Sequence, residues 1–126
     1  MSASVTNPAI MLVEDDPDTL RLLWLIITEL ATGYTILTCP DGDVALKQAM
    51  QQPTPLIITD YNLPGMNGLQ LTAAVKAHAP ATRVMLISAS MGPDLERRAR
   101  DRGVDYVVRK PFHIDPLIQM VRAALA

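Results

Sequence analysis

Two apolar runs that stop abruptly at acids constrain this chain more than any other feature. Ala9-Ile10-Met11-Leu12-Val13 runs into Glu14-Asp15-Asp16, and Leu56-Ile57-Ile58-Thr59 runs into Asp60. Short apolar runs of this kind read as strands buried on both faces, so each stop delivers carboxylates to one edge of a sheet. Like charges held together there need a cation. Hard oxygen donors suit Mg2+ better than zinc or copper. A third run, Val84 to Ser88, ends in a hydroxyl, and a fourth, Val107 to Pro111, carries Lys110. An acid pair, a lone acid, a hydroxyl and a lysine are the parts of a phosphoryl-transfer site.

Strand-like and helix-like segments alternate five times. Strands are predicted near 9–13, 34–38, 55–59, 83–88 and 105–109. The first helix, about 17 to 31, has Asp16 as N-cap and Pro17 at its first position, where the missing N–H costs nothing. Leu20, Leu23, Trp24, Ile27 and Leu30 give it helical spacing, with a packing role for Trp24, and Gly33 follows as a stop. The second helix, about 41 to 51, turns Val44, Ala45 and Ala49 inward. The third, about 68 to 78, carries Leu69, Leu71, Thr72 and Val75. The fourth, about 93 to 102, is poor in apolar residues, with Leu95 and Ala99 among many charges. The fifth, about 114 to 125, places Ile114, Leu117, Ile118, Val121 and Leu125 on one face. Strict alternation argues for a parallel sheet covered on both faces, with the site beyond the carboxyl ends of the strands.

At 126 residues the chain favours one domain, spanning residues 1–126 with a core from about 9 to 125 and no attached output domain. Apolar residues make up 49%, too many for a disordered tail. The net charge of −2 gives no reason to expect a nucleic-acid or anionic-membrane surface. No apolar stretch approaches the roughly 20 residues of a membrane helix. The polar start, residues 1 to 7, lacks a hydrophobic signal region, so a cytoplasmic site follows. The single cysteine, Cys39, excludes an internal disulfide and reads as a buried spectator. His78 and His113 are expected at the surface.

Five stretches in order then resemble one family. They are Met11 to Pro17, Ile57 to Gly68, Leu86 to Ala89, Gly103 to Asp105 and Arg109 to Phe112. Together they resemble the receiver domains of bacterial two-component response regulators, of the stand-alone, chemotaxis-receiver type, over roughly residues 9 to 125. The resemblance implies an α/β, flavodoxin-like doubly wound fold. Its five-stranded parallel sheet would have the order 2-1-3-4-5, with five helices.

It further implies that Asp60 accepts a phosphoryl group from a sensor histidine kinase or a phosphotransfer protein. Glu14 and Asp15, with Asp60 and the backbone carbonyl of Asn62, would hold Mg2+, with Mn2+ the alternative ion. Glu14 stands where many relatives carry Asp. Ser88 and the N–H of Ala89 would contact phosphoryl oxygens, and Lys110 would pair with Asp60 or its phosphate. Pro64, Gly65 and Gly68 would shape the loop after Asp60, and family members tend to hold the bond before Pro111 in cis. Asn67 replaces a frequent Asp.

One departure concerns the switch position. The family places an aromatic residue three positions before the lysine, which is Val107 here, while the aromatic is Tyr106. A shift of one residue on a strand flips the side chain to the other face. Either a local irregularity restores Tyr106, or the usual coupling of Ser88 to an aromatic is altered; the second is preferred. Phosphorylation would shift the surface of the fourth helix, fifth strand and fifth helix toward a downstream target protein or a second copy of the chain.

The chain would drive its own phosphorylation and dephosphorylation without being a turnover enzyme. Three other readings compete. Asp60-Tyr61-Asn62 resembles the nucleophile motif of haloacid-dehalogenase-type phosphatases, but Pro64 stands where that motif wants Thr or Val. An interaction module without the chemistry is disfavoured by the retained site residues. A flavin site is disfavoured because Glu14-Asp15-Asp16 would repel a phosphate without a metal.

Overall fold

The computed structural model describes residues 7–126. The expectation drawn from the polar start falls mostly on residues 1–6 and lies outside them. The described chain alternates strictly: β1 Ala9–Val13, α1 Pro17–Leu30, β2 Thr35–Cys39, α2 Gly42–Gln51, β3 Leu56–Asp60, α3 Gly68–His78, β4 Arg83–Ser88, α4 Pro93–Asp101, β5 Tyr106–Arg109 and α5 Ile114–Leu125. The strands pair in parallel in the order β2-β1-β3-β4-β5, which is the expected flavodoxin-like arrangement.

Every residue of β1 and β3 is buried, as two covered faces require. Strand alternation then sorts the core. Ile10, Leu12, Ile58, Met85 and Ile87 face Leu23 and Ile27 of α1 and Leu117 and Val121 of α5. On the opposite face Met11, Val13 and Ile57 meet Ala45 of α2 with Leu71 and Val75 of α3. Beside them Val84 and Leu86 meet Leu69 of α3 with Leu95 and Ala99 of α4. Each fully buried Leu or Ile contributes roughly 1.5–3 kcal/mol over an exposed one.

The starts of α1, α2 and α3 follow from side-chain caps. Asp16 accepts from the Thr19 backbone N–H at 3.0 Å and from the Thr19 hydroxyl at 2.6 Å. Asp41 accepts from the Val44 N–H at 2.9 Å, so it caps α2 and does not belong to the helix. Asn67 and Gln70 form a reciprocal capping box at α3.

Some expected boundaries and faces move. β3 begins and ends one residue later than expected, because Asp60 still pairs with Ile87. β2 likewise extends to Cys39, opposite Val13. β5 starts at Tyr106, because Asp105 spends its groups on Val84, donating its N–H to the Val84 carbonyl and accepting the Val84 N–H on Oδ2. Three residues expected to face inward do not. Trp24 is 42% exposed, Val44 41% and Ile114 48%. Trp24 directly follows buried Leu23 and turns off the stripe that Leu23 and Ile27 define. Val44 precedes Ala45, which takes the sheet-facing position of α2. Ile114 opens α5 one turn ahead of Leu117, the first residue of that helix to be buried. Among the described residues no helix is long and apolar enough to cross a membrane.

Candidate functional site

Because every strand runs the same way, the chain leaves the sheet repeatedly along one edge, and that edge collects the polar residues. Glu14 follows β1 directly. Its N–H donates to the Cys39 carbonyl at 3.1 Å, and the residue is only 1% exposed. Asp15 is exposed, and Asp16 is occupied as the α1 cap. Asp60 closes β3 with its side chain 9% exposed. Ser88 closes β4, fully buried, and its Oγ accepts the Ser90 N–H at 3.0 Å. The Lys110 N–H donates to the Ser88 carbonyl at 2.9 Å, which fixes the end of β5 beside the end of β4. The Lys110–Pro111 bond is cis.

These placements bring carboxylate oxygens of Glu14, Asp15 and Asp60 within 4.8 Å of one another. The Lys110 ammonium reaches the same point. Its Nζ lies 2.8 Å from Glu14 Oε1 and 3.3 Å from Asp60 Oδ2. Glu14 Oε2 accepts the Asp16 N–H at 3.1 Å, so both oxygens of this buried acid are engaged. Burial raises the Glu14 pKa above the ordinary carboxylate value, opposed by the bond from Lys110. Burial alone would lower Lys110, but the bond to Glu14 and the charge of Asp60 outweigh it and hold its pKa above the ordinary value. All the acidic donors are hard oxygens, a set suited to Mg2+ or Mn2+.

The loop after Asp60 is built tightly. Gly65 has φ 70°, the left-handed conformation that glycine adopts without strain. A Cβ on Gly68 would meet the Asp60 carbonyl at 2.5 Å and Leu86 Cδ1 at 2.7 Å, so only glycine lets α3 start against the end of β3. Pro64 and Asn62 are exposed. Beside Lys110 a cavity of about 350 Å³ is lined by Thr19, Leu22, Ala89, Pro111 and Phe112.

Register bears on the two alternatives for the switch position. β5 pairs regularly with β4, Tyr106 opposite Met85 and Val107 opposite Leu86. No irregularity brings the ring around. Tyr106 packs on the α1 and α5 side of the sheet, and Val107 on the α4 side.

His78 and His113 are exposed and outside the acidic cluster. Cys39 is buried; burial raises its pKa, and its Sγ lies 3.5 Å from Gln48 Oε1. Two residues escaped sequence reasoning. Tyr61 packs on the α4 cluster directly after Asp60; its signal was its place beside the acid. Asp105 ties the far end of the sheet through Lys76 at 2.8 Å and Arg83 at 3.4 Å, contacts too distant in sequence to show a pattern.

Comparison with known proteins agrees with this geometry. The family model for the response regulator receiver domain matches residues 10–122. The chain is 31% identical over 116 residues to the transcriptional regulatory protein KdpE of Mycobacterium tuberculosis, covering 92% of this chain and 50% of that protein. It is 32% identical over 116 residues to the response regulator ArlR of Staphylococcus epidermidis, covering 92% and 52%. The chain thus spans about half the length of the curated relatives it matches. Among solved structures, the signal receiver domain of an HD domain-containing protein from Pseudomonas fluorescens Pf-5 superposes with a TM-score of 0.86 at 27% identity, covering 94% of each chain. With that family pattern running from the second residue of β1 into α5, the chain belongs to the response regulator receiver domains of two-component systems.

Proposed function

We propose that this receiver is a phosphoacceptor switch with Asp60 as the acceptor. The observation that carries the reading is the convergence of Glu14, Asp15, Asp60 and Lys110 on one point at the strand ends. A carboxylate oxygen of Asp60 attacks the phosphorus of a phosphohistidine on a sensor histidine kinase or phosphotransfer protein. The O–P bond forms as the P–N bond breaks, and the electron pair leaves on the imidazole. Glu14, Asp15, Asp60 and the Asn62 carbonyl would hold Mg2+ or Mn2+, which when bound offsets charge on the transferring oxygens. Lys110 supplies a fixed cation beside the acceptor. Ser88 and the Ala89 N–H receive phosphoryl oxygens.

The chain in this reading is a signalling switch and not a turnover enzyme. Output runs through the surface of α4, β5 and α5 to a target protein or a second copy of the chain. The reading places it in the cytoplasm with its kinase, without direct contact with nucleic acid or membrane.

The test is intact-mass measurement after incubation with acetyl phosphate, with and without Mg2+, beside Asp60→Asn. The expected result is a Mg2+-dependent gain of one phosphoryl group that the variant lacks. No gain from acetyl phosphate or from a histidine kinase, with metal binding intact, would overturn the reading.

A further inference from the structure

We propose that Tyr61 is the positioning residue that couples Asp60 to α4. The inference rests on the phosphoacceptor reading of Asp60.

The α4 side of the sheet holds one aromatic ring. The sequence has five aromatic residues. Tyr34, Tyr106 and Phe112 pack on the α1 and α5 side, and Trp24 is largely exposed. Tyr61 alone packs on the cluster formed by Leu69, Val84, Leu86, Leu95 and Ala99. Val107, at the position where the resemblance would place an aromatic side chain, packs on the same cluster and brings no ring to it.

Tyr61 is bonded at both of its ends. Its N–H donates to the Ile87 carbonyl at 2.9 Å, one residue before Ser88, and its carbonyl accepts from the Gly68 N–H at 2.9 Å. The backbone on either side of the Tyr61 side chain is therefore clamped directly after Asp60, and a change at the acceptor reaches that side chain with little slack. At the far end the Tyr61 hydroxyl accepts a long 3.5 Å contact from an Arg98 Nη of α4. Arg98 in turn lies 3.8 Å from Asp94 in the first turn of that helix. The ring thus spans the distance from the acceptor strand to α4.

It also has room to move. A groove of about 310 Å³ opens beside it, lined by Ser90, Gly92, Leu95 and Arg98. Ser90 is the residue whose N–H is held by the Ser88 hydroxyl. When Ser88 turns to a phosphoryl oxygen, that bond is released and the wall of the groove shifts. The ring then repositions against α4, a change between two packed arrangements.

The test uses the full chain labelled with 3-fluorotyrosine. Its 19F resonances arise from Tyr34, Tyr61 and Tyr106 and are assigned by single Tyr→Phe variants. Spectra are taken before and after acetyl phosphate with Mg2+, and the mass of each sample is measured. The expected result is a phosphoryl gain accompanied by movement of the Tyr61 resonance beyond its linewidth, with Tyr106 moving less. Backbone amide shifts over Leu95 to Ala99 are followed in parallel. They shrink in Tyr61→Ala and take intermediate values in Tyr61→Phe, which keeps the ring and loses only the Arg98 contact, while both variants still gain the phosphoryl group. A phosphoryl gain with Tyr61 unmoved, or with α4 shifts unchanged in Tyr61→Ala, overturns the coupling. Absence of any gain in the parent chain overturns the acceptor reading, and this inference with it.

Discussion

Lys110 bonds Glu14 across 96 residues of sequence, Nζ to Oε1 at 2.8 Å, while its distance to Asp60 is 3.3 Å. The long side chain of Glu14 lets a buried acid hold the lysine next to the acceptor. The cation is therefore shared, and the shorter contact belongs to the acid that would not be phosphorylated.

Removing that cation leaves Glu14 buried with one oxygen unpaired and Asp60 close by. Lys110→Ala is expected to lose roughly 1–3 kcal/mol of stability, the cost of an unsatisfied buried acceptor. Saturating Mg2+ should recover part of the loss, because an ion bound only to the folded state stabilises it. Urea unfolding with and without Mg2+ reads both effects. Equal midpoints for the variant and the parent chain would show that the lysine does not support the acids.

Asp105 sets a pH dependence at the opposite end of the sheet. Burial alone would raise its pKa, but the bonds from Lys76 and the Val84 N–H, with the charge of Arg83, hold it below the ordinary value of 3.8. A lowered folded value means that the stabilisation is complete above the unfolded pKa and is lost as pH falls through the folded one. Asp105→Asn should therefore cost roughly 1–3 kcal/mol at neutral pH. The gap to the parent chain should close as pH drops below the ordinary value. A gap constant from neutral pH to strong acid would contradict the assignment.

Gly68 tests how closely α3 sits on the acceptor strand. A Cβ there meets backbone oxygen of Asp60 at 2.5 Å and Tyr61 Cα at 3.1 Å, neither of them a flexible side-chain end. Gly68→Ala is expected to cost roughly 1–3 kcal/mol by overpacking. It should also reduce phosphoryl incorporation, since the displaced atoms flank Asp60. Unfolding midpoints and intact mass on the same preparations check the two effects separately.

Leu23 and Trp24 are neighbours with opposite expected outcomes. Leu23 is 2% exposed and Trp24 42%. Leu23→Ala should cost about 2–5 kcal/mol by opening a core cavity. Trp24→Ala should cost less than any of that range despite the larger side chain removed. Thermal unfolding of the two variants decides, and a larger loss from Trp24 would place that ring in the core.

The strand positions and the acids at their ends were legible in the sequence because buried parallel strands are continuous apolar runs and their ends are abrupt. Helix faces were read less well. Trp24, Val44 and Ile114 all fit a helical spacing, yet spacing gives a period and not its phase against the sheet. The switch position stayed open in sequence because it depends on the register of β5 against β4, fixed by pairing of Val107 with Leu86. The Glu14 to Lys110 bond and the ring of Tyr61 against Arg98 are products of strand order, and no local pattern announces them.

The charges of α4 have a further consequence. Arg97 pairs with Asp94 at 2.8 Å and Arg100 with Glu96 at 2.9 Å, both within the helix. Exposed pairs of this kind add little stability, but they travel with the helix that carries them. A tilt or slide of α4 breaks neither, and the apolar cost is confined to Leu95 and Ala99, its only buried residues. The helix is a piece that can be reseated without breaking these two pairs, while the long Arg98 contact at 3.5 Å reaches from its charged face to Tyr61, the residue after the acceptor.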